Sequence, residues 1–434
     1  MQESNYEYIM SENLPEHVYR LLRSIGKIGD RKDCPVFVVG GFVRDLLMAQ
    51  PNLDIDIVVE GDGIAFAQAF VAAENGSVKR HQQFGTAVVS LPYGYKIDVA
   101  TARTEIYEHP GALPSVKPGS IKDDLRRRDF TINAMAIELN EDRFGGLVDF
   151  FGGRLDTKTG SVRVLHDLSF EDDPTRIFRA IRFERRYGFI IEPHTYDLMG
   201  KAVEGGFLEN ITRERIRNEI LLILREDDPI RAICRMTHFR LLEYIHSSIS
   251  VSEEMAWLFD NIIPVLGWWR SIRGNADTVL LNLLILLDKL DAAETEDVLE
   301  RLVLQKKYAD VLMASKTSLP AILERMNEGI MKPSEIYETL KGTPLEVLLF
   351  AIAKYPEKSD SISNYLWRLR KAKPLVNGND LRKLRYREGP LYTQILKTAF
   401  AAQLDGLVEN KTQAIQFVKS RFPIPKPETT NFTN

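Results

Sequence analysis

The 434-residue chain contains two cysteines, Cys34 and Cys234, too few for a disulfide framework and without the paired spacing of a zinc site. Its seven histidines form no HxxxH pair and have no CxxC companion, so an imidazole or thiolate metal centre is not expected. Long hydrophobic runs are missing. The most apolar window, VLLNLLILL at 279–287, stops at Asp288 and Lys289, far short of a bilayer span. The first thirty residues are charged and polar, so no secretory leader is expected. Neither charge sign dominates. With a net charge of −4, an anionic partner would need a local basic patch. The glycine signatures of dinucleotide folds and P-loops, G-x-G-x-x-G and G-x-x-x-x-G-K-[ST], are absent. There is no fixed-period repeat and no low-complexity segment, and no amphipathic seam marks an oligomer interface. These absences point to a cytoplasmic globular protein with no membrane partner; the oligomeric state is left open.

The length exceeds one ordinary core, so several domains are expected. Residues 14–28, LPEHVYRLLRSIGKI, have helical spacing. From 36 to about 140, strand-like runs (VFVVG, DIDIVV, TAVVSL, KIDVAT, NAMAIEL) alternate with helical stretches, a mixed α and β pattern. A turn-rich segment, FGGLVDFFGGRLDTKTGSV, closes this half. From about 170 onward leucine-rich amphipathic helices follow one another, ending in FPIPKPETTNFTN, a tail expected to fray.

Chemistry concentrates in FVVGGFVRDLLMAQPNLDIDIVVEGDG, residues 37–63. In a strand alternate side chains share a face, so Asp54 and Asp56 project together while Ile55 and Ile57 turn to the core. Two adjacent carboxylates repel and lose hydration; divalent cations relieve both, and paired metals suit in-line phosphoryl chemistry. A solvated edge strand is the plainer reading of D-x-D alone. Gly40 and Gly41, following the strand FVV, remove side chains where backbone amides could approach phosphate, and Arg44 and Asp45 lie a helical turn further on. Asp98, in YKIDVATARTE, adds a third carboxylate on another strand. DDLRRRDFTINAMAI carries Arg126, Arg127 and Arg128, a solvated face if isolated and a charge clamp if beside a triphosphate.

GGFVRD, DIDIVV, RRRDFTINAMA, DDPTRIFRAIRF and RERIRNE, in that order, resemble the successive motifs of the class II tRNA nucleotidyltransferases, the CCA-adding enzymes and their bacterial relatives. The resemblance is dense from about 14 to 225 and continues more weakly in PLVNGNDLRKL and GPLYTQILKTAFAAQLDG. It implies an α+β protein, with a polymerase-beta-like mixed-sheet nucleotidyltransferase head (1–155) followed by an all-helical neck (156–225), body (226–345) and tail (346–434). It further implies Mg²⁺ as cofactor, ATP and CTP as substrates and the tRNA 3′ end and outer half as partner. By the same resemblance Asp54 and Asp56 are the catalytic metal ligands and Asp98 the third catalytic acid. Gly40, Gly41, Arg44, Arg128, Asp129, Asn133, Asp172, Asp173, Arg176, Arg179 and Arg182 fall to nucleotide binding, with Arg128, Asp129 and Asn133 on the ribose side.

Asp173 and Arg176, three apart, are expected to share a helix face. Cytosine and adenine each present an amine donor beside a ring-nitrogen acceptor, which a carboxylate and a guanidinium complement; guanine and uracil present the reverse. An intrahelical N-cap pair is the plainer alternative. The family commonly has Glu-Asp-x-x-Arg, where this chain has Asp172-Asp173-Pro-Thr-Arg176. Arg176, Arg179, Arg182 and Arg186 form a stripe, solvated or facing phosphates, and TRERIRNE is expected to buttress this helix. In 364–384 basic residues accompany Tyr365 and Trp367, a surface for an RNA backbone or an amphipathic helix burying Trp367. Trp257, Trp268 and Trp269 are expected in the core. The segment 103–124 occupies the place of the family's flexible loop, trimmed in CC-only members, so CC addition alone is disfavoured. Full CCA addition and A addition both remain open, with poly(A) addition and a non-catalytic RNA-binding protein as alternatives.

Overall fold

The structure, a computed structural model, describes residues 5–92, 94–106, 111, 114–272 and 274–423. Most of the tail expected to fray, from 424 on, and six residues within 103–124 lie outside the described residues. Two compact units divide the chain, Met1–Leu241 and Leu242–Asn434.

The first unit is built on a seven-stranded sheet in the order β3-β4-β5-β2-β1-β8-β9. The strands are β1 (Val36–Val39), β2 (Ile55–Val59), β3 (Ser77–His81), β4 (Thr86–Ser90), β5 (Lys96–Thr101), β8 (Ala136–Glu138) and β9 (Leu147–Val148). β2 and β5 run parallel, with Asp56 paired to Asp98; the other neighbours are antiparallel. Helices α1 (Glu16–Arg31), α2 (Gly41–Leu47) and α3 (Gly63–Glu74) bury Leu22, Ile25, Phe42, Phe66 and Phe70 against one face. That face is supplied by alternate residues of β1, β2 and β5: Val36, Val38, Ile55, Ile57, Ile97 and Val99. The alternation read from the sequence is thus what closes this core.

The opposite face is covered over only part of its width. Phe37, Val39, Val58 and Ala136 pack there with Ile121 and Leu125 of α4 (Ile121–Arg126). The rest, across β5, β4 and β3, carries Lys96, Asp98, Val88, Lys79 and His81, of which all but the half-buried Val88 are exposed. NAMAIEL gives only the short β8, because Thr131–Asn133 form a 3-10 turn that turns the Asn133 side chain into a buried polar network. The segment expected to be a mobile loop contributes a hairpin, β6 (Arg103–Ile106) against β7 (Ser115–Pro118).

After a four-residue helix, Ser169–Asp172, the chain enters α5 (Arg176–Tyr187), and α6 (Arg213–Ile223) follows. Asp173 does not join either helix. It is extended, at φ −141° and ψ 92°, as the residue before a proline must tend to be.

The second unit is helical. Here α8 (Thr278–Leu286) and α9 (Leu345–Lys354) are buried nearly all round, which is why VLLNLLILL lacks a polar face; α7 (Glu253–Ile272) packs beside them. A second cluster joins Val376, Leu381, Ile395 and Val418. Among the tryptophans, Trp269 is buried and Trp268 half-buried, but Trp257 is 42% exposed, contrary to expectation, on the outer side of α7. Trp367 is also exposed, while its neighbours Tyr365, Leu366 and Leu369 fill the interior. No described helix is long and apolar enough to cross a membrane.

Candidate active site

Asp54 precedes β2, Asp56 lies on it and Asp98 on β5, and each offers a carboxylate oxygen within 4.8 Å of the others. Two of these acids are held above the usual carboxylate range. Asp56 is pushed up to about 6, by burial first and then by Asp54, Asp98 and Asp124, with only Arg128 opposing. Asp98 is also raised, again chiefly by burial and by Asp54, while His81 and Lys96 act the other way. A hard, all-oxygen donor set carrying this much unrelieved negative charge fits a divalent cation.

Beside the triad opens a cleft of about 860 Å³, reached by Asp54 and Asp56 but not by Asp98. Gly40 has φ +74°, where a side chain is strained, and a Cβ there would come within 2.6 Å of the Arg128 guanidinium. Gly41 starts α2 and lines the cleft. Arg128 also lines it, anchored through Nη2 to Asp124 at 3.0 Å, and its buried Nε has no partner among the described residues. Asp124 is wholly buried; burial opposes its charge, but Arg128 and Arg127 hold its carboxyl below the usual range. The arginine cluster is therefore split. Arg127 and Arg128 face the cleft, while Arg126 at the end of α4 is exposed.

A continuous hydrogen-bonded chain runs from the acids to α5. The Asp54 amide donates to Asn52 Oδ1 (2.8 Å), and Asn52 Nδ2 donates to Asp45 Oδ2 (2.7 Å). Arg44 Nε donates to Asp45 Oδ1 (2.7 Å), and Arg44 Nη1 donates to Asn133 Oδ1. Asn133 Nδ2 then reaches Asp129 Oδ1 (2.9 Å), whose other oxygen accepts Arg179 Nε and Nη2 at 2.8 and 2.6 Å. Burial works against the Asp129 charge, but Arg179 and Asn133 hold the carboxyl down at about 2. Arg44 stacks over Tyr187 at 4.6 Å and lies 5.4 Å from the Phe183 ring, so its cation rests against a pair of stacked rings.

On α5, Arg176, Arg179 and Arg182 all line the cleft, so three members of the arginine stripe face inward, while Arg186 at its far end is exposed. Arg176 is buried, with Nη1 on Ser169 Oγ at 2.6 Å and Nη2 on the Arg127 carbonyl at 2.8 Å. Arg182 is 7% exposed, its Nε unpartnered among the described residues, with Glu226 3.7 Å and Glu219 4.0 Å from its other guanidinium nitrogens. Asp173 also lines the cleft but forms no ion pair with Arg176; its Oδ1 accepts Thr175 N and Oγ1 and pairs with Arg215 Nη2 at 2.7 Å. Asp172 stands apart, ending the preceding short helix with its carboxylate 3.8 Å from His166.

The sequence reading gave α6 a supporting role only. The structure brings its Arg215, Asn218 and Glu219 into the cleft wall, residues whose spacing puts them on one helix face. Arg215 also donates to the Gly111 carbonyl at 3.0 Å. Asn52 and Asp124 were passed over as well: the first precedes the acidic pair by two residues and looks like turn chemistry, and nothing local marks the second as buried.

Residues 36–163 match the family described as the poly A polymerase head domain, and 188–251 match its probable RNA- and SrmB-binding region. An A-adding tRNA nucleotidyltransferase of Geobacter sulfurreducens is 41% identical over 92% of this chain, which spans 46% of the length of that relative. An A-adding tRNA nucleotidyltransferase of Halalkalibacterium halodurans is 31% identical over 96% of both chains. This chain belongs to the class II tRNA nucleotidyltransferases. A solved CCA-adding enzyme in its apo form superimposes with a TM-score of 0.80 at 37% identity, covering 97% of this chain and all of that one. Asp54, Asp56, Asp98 and Arg128 fall within the matched head domain, whereas Arg176, Arg179 and Arg182 follow it in the chain.

Proposed function

We propose that this protein transfers adenylate from ATP to the 3′ end of tRNA, releasing pyrophosphate. The observation that carries it is the acidic triad set beside a cleft walled by Arg128, Arg176, Arg179 and Arg182. Asp54 and Asp56 would hold Mg²⁺, with Asp98 as the third acid; the bound ion would neutralise the carboxylates and stabilise charge on the reacting phosphate. Gly40 and Gly41 admit the triphosphate, and Arg128, anchored by Asp124, presents its charge to it. Arg44, Asn133 and Asp129 form the polar wall for the ribose. Asp173 and Arg176 read the base: the carboxylate accepts from the adenine amine and the guanidinium donates to the ring nitrogen. Arg215 and Thr175 occupy only Oδ1 of Asp173, which leaves its second oxygen for the base. Asp172, turned toward His166, has no contact of this kind.

The A-adding names of the two relatives favour addition of the terminal A. Full C-C-A addition, with CTP as a further substrate, is the second reading, favoured by the CCA-adding structure that matches along its whole length. Intact acids and arginines support catalysis over a merely RNA-binding role. The head, neck, body and tail boundaries given above, tRNA binding by the helical second unit and a cytoplasmic setting belong to this reading.

The test is incorporation of labelled ATP and CTP into tRNA transcripts ending at the discriminator base, at C and at CC. One A on the CC transcript alone is expected. Three nucleotides on the bare end would establish CCA synthesis, many adenosines would indicate a poly(A) polymerase, and no incorporation with Mg²⁺ present would refute the catalytic reading.

A further inference from the structure

We infer that the open half of the sheet face, from Asp98 across β4 to the β3–β4 turn, is the platform on which the last nucleotides of the accepting RNA strand lie. The inference rests on the nucleotidyl-transfer reading above.

In an in-line displacement the attacking and leaving oxygens stand on opposite sides of the phosphorus. The triad is asymmetric in this respect. Asp54 and Asp56 border the arginine-walled cleft, which suits the triphosphate and its leaving pyrophosphate, whereas Asp98 does not border it. Asp98 instead continues the row Lys79–Val88–Asp98–Asp56 that runs in register across β3, β4, β5 and β2. The attacking 3′-hydroxyl therefore comes from the Asp98 side, over that row.

The face fits a nucleic-acid strand. Lys79 and His81 on β3 and Lys96 on β5 share it by alternation, all exposed, and the half-buried Thr86, Val88 and Ser90 lie between them. Exposed cations lie close to the acids, Lys96 two residues before Asp98 on β5 and Lys79 two strands over in the same register row. The other face of the same strands is closed by the core, so these cations have no structural partner to serve there. The β3–β4 turn adds an aromatic. Phe84, at the end of the short Gln82–Phe84 turn, is 40% exposed, and its carbonyl is held by Arg103 Nη1 at 2.9 Å. The turn begins one strand over and two residues along from Asp98, roughly 10 Å at about 4.8 Å per strand and about 3.4 Å per residue, a reach that a dinucleotide covers. Cations along a backbone track with an aromatic for a base to stack on is how single strands are held without sequence reading. A protein partner fits less well, because the face offers no apolar cluster to bury.

The test uses the full-length protein and a tRNA transcript ending in CC. Phe84→Ala and Lys79→Ala, both at exposed sites, are expected to raise KM for the RNA about tenfold each, with KM for ATP unchanged. Lys79→Glu should raise it further and lessen the dependence on salt. A 4-thiouridine placed within the last three nucleotides should crosslink to residues 79–84. Unchanged RNA KM in all variants of an active enzyme, or crosslinks confined elsewhere, would overturn the platform and leave the transfer reading intact. An inactive wild-type enzyme would instead sink that reading, and crosslinking alone would then decide the platform.

Discussion

Asp56 shows what the site does to a single group. Its carboxyl, ordinarily at 3.8, is raised to about 6, so the folded chain binds that proton more tightly than the unfolded chain does. A raised carboxyl stabilises the fold in acid, and the contribution is lost as pH climbs through about 6. In the metal-free protein at pH 7.5 the ionised carboxylate is therefore a liability. Asp56→Asn is expected to raise the melting temperature by a few degrees, the gain vanishing toward pH 5. The divalent ion needs the ionised form, so in the wild type the half-saturating metal concentration should climb about tenfold per pH unit below about 6. A pH-independent metal titration would refute the assignment of Asp56 as a ligand. The Asp pair was legible because β periodicity is two and the flanking isoleucines leave one register. Arg215 was not, because its partner Asp173 is distant in sequence and no local pattern announces the contact.

At the scale of elements, α5 and the extended residue before it act together. Helical spacing suggested that Asp173 and Arg176 would lie on one helix, yet Pro174 keeps Asp173 out of the helix and α6 supplies the cation that pins it. The two groups still converge on the cleft, by a turn and a helix start. Base choice should therefore depend on α6 as well. Asp173→Ala and Arg176→Ala are each expected to lower the preference for ATP over GTP, as a ratio of kcat/KM, by at least about tenfold, the scale of one lost bidentate base contact. Arg215→Ala should lower it less, and Asp172→Ala not at all. If Arg215→Ala matched the wild type while Asp173→Ala did not, Arg215 would be support only. Strands and helices were legible from periodicity; the turn at Thr131–Asn133 was not, because it is set by the buried partners of Asn133 rather than by turn residues.

For the whole molecule, the division at Leu241 separates a unit with the triad and cleft from a unit with its own interior around α8 and α9. The helical character of the second unit was legible in leucine spacing, but which tryptophans it buries was not, since Trp257 and Trp367 differ from Trp269 only in their tertiary neighbours. ATP with Mg²⁺ should slow amide exchange in β2, β5, α5 and α6 and leave α8 unchanged, a pattern that hydrogen-exchange mass spectrometry reads directly. Protection limited to the second unit would move the nucleotide site out of the first.

The hydrogen-bonded chain from the Asp54 amide through Asn52, Asp45, Arg44, Asn133 and Asp129 to Arg179 has a metrological consequence. A nucleotide has a set separation between its base and its α-phosphate. The protein answers with a gauge of its own, assembled from side chains end to end, between the strand that carries the acids and the helix that faces them. Shortening any one link miscalibrates both ends at once, so variants scattered along it should share a single defect rather than show six different ones.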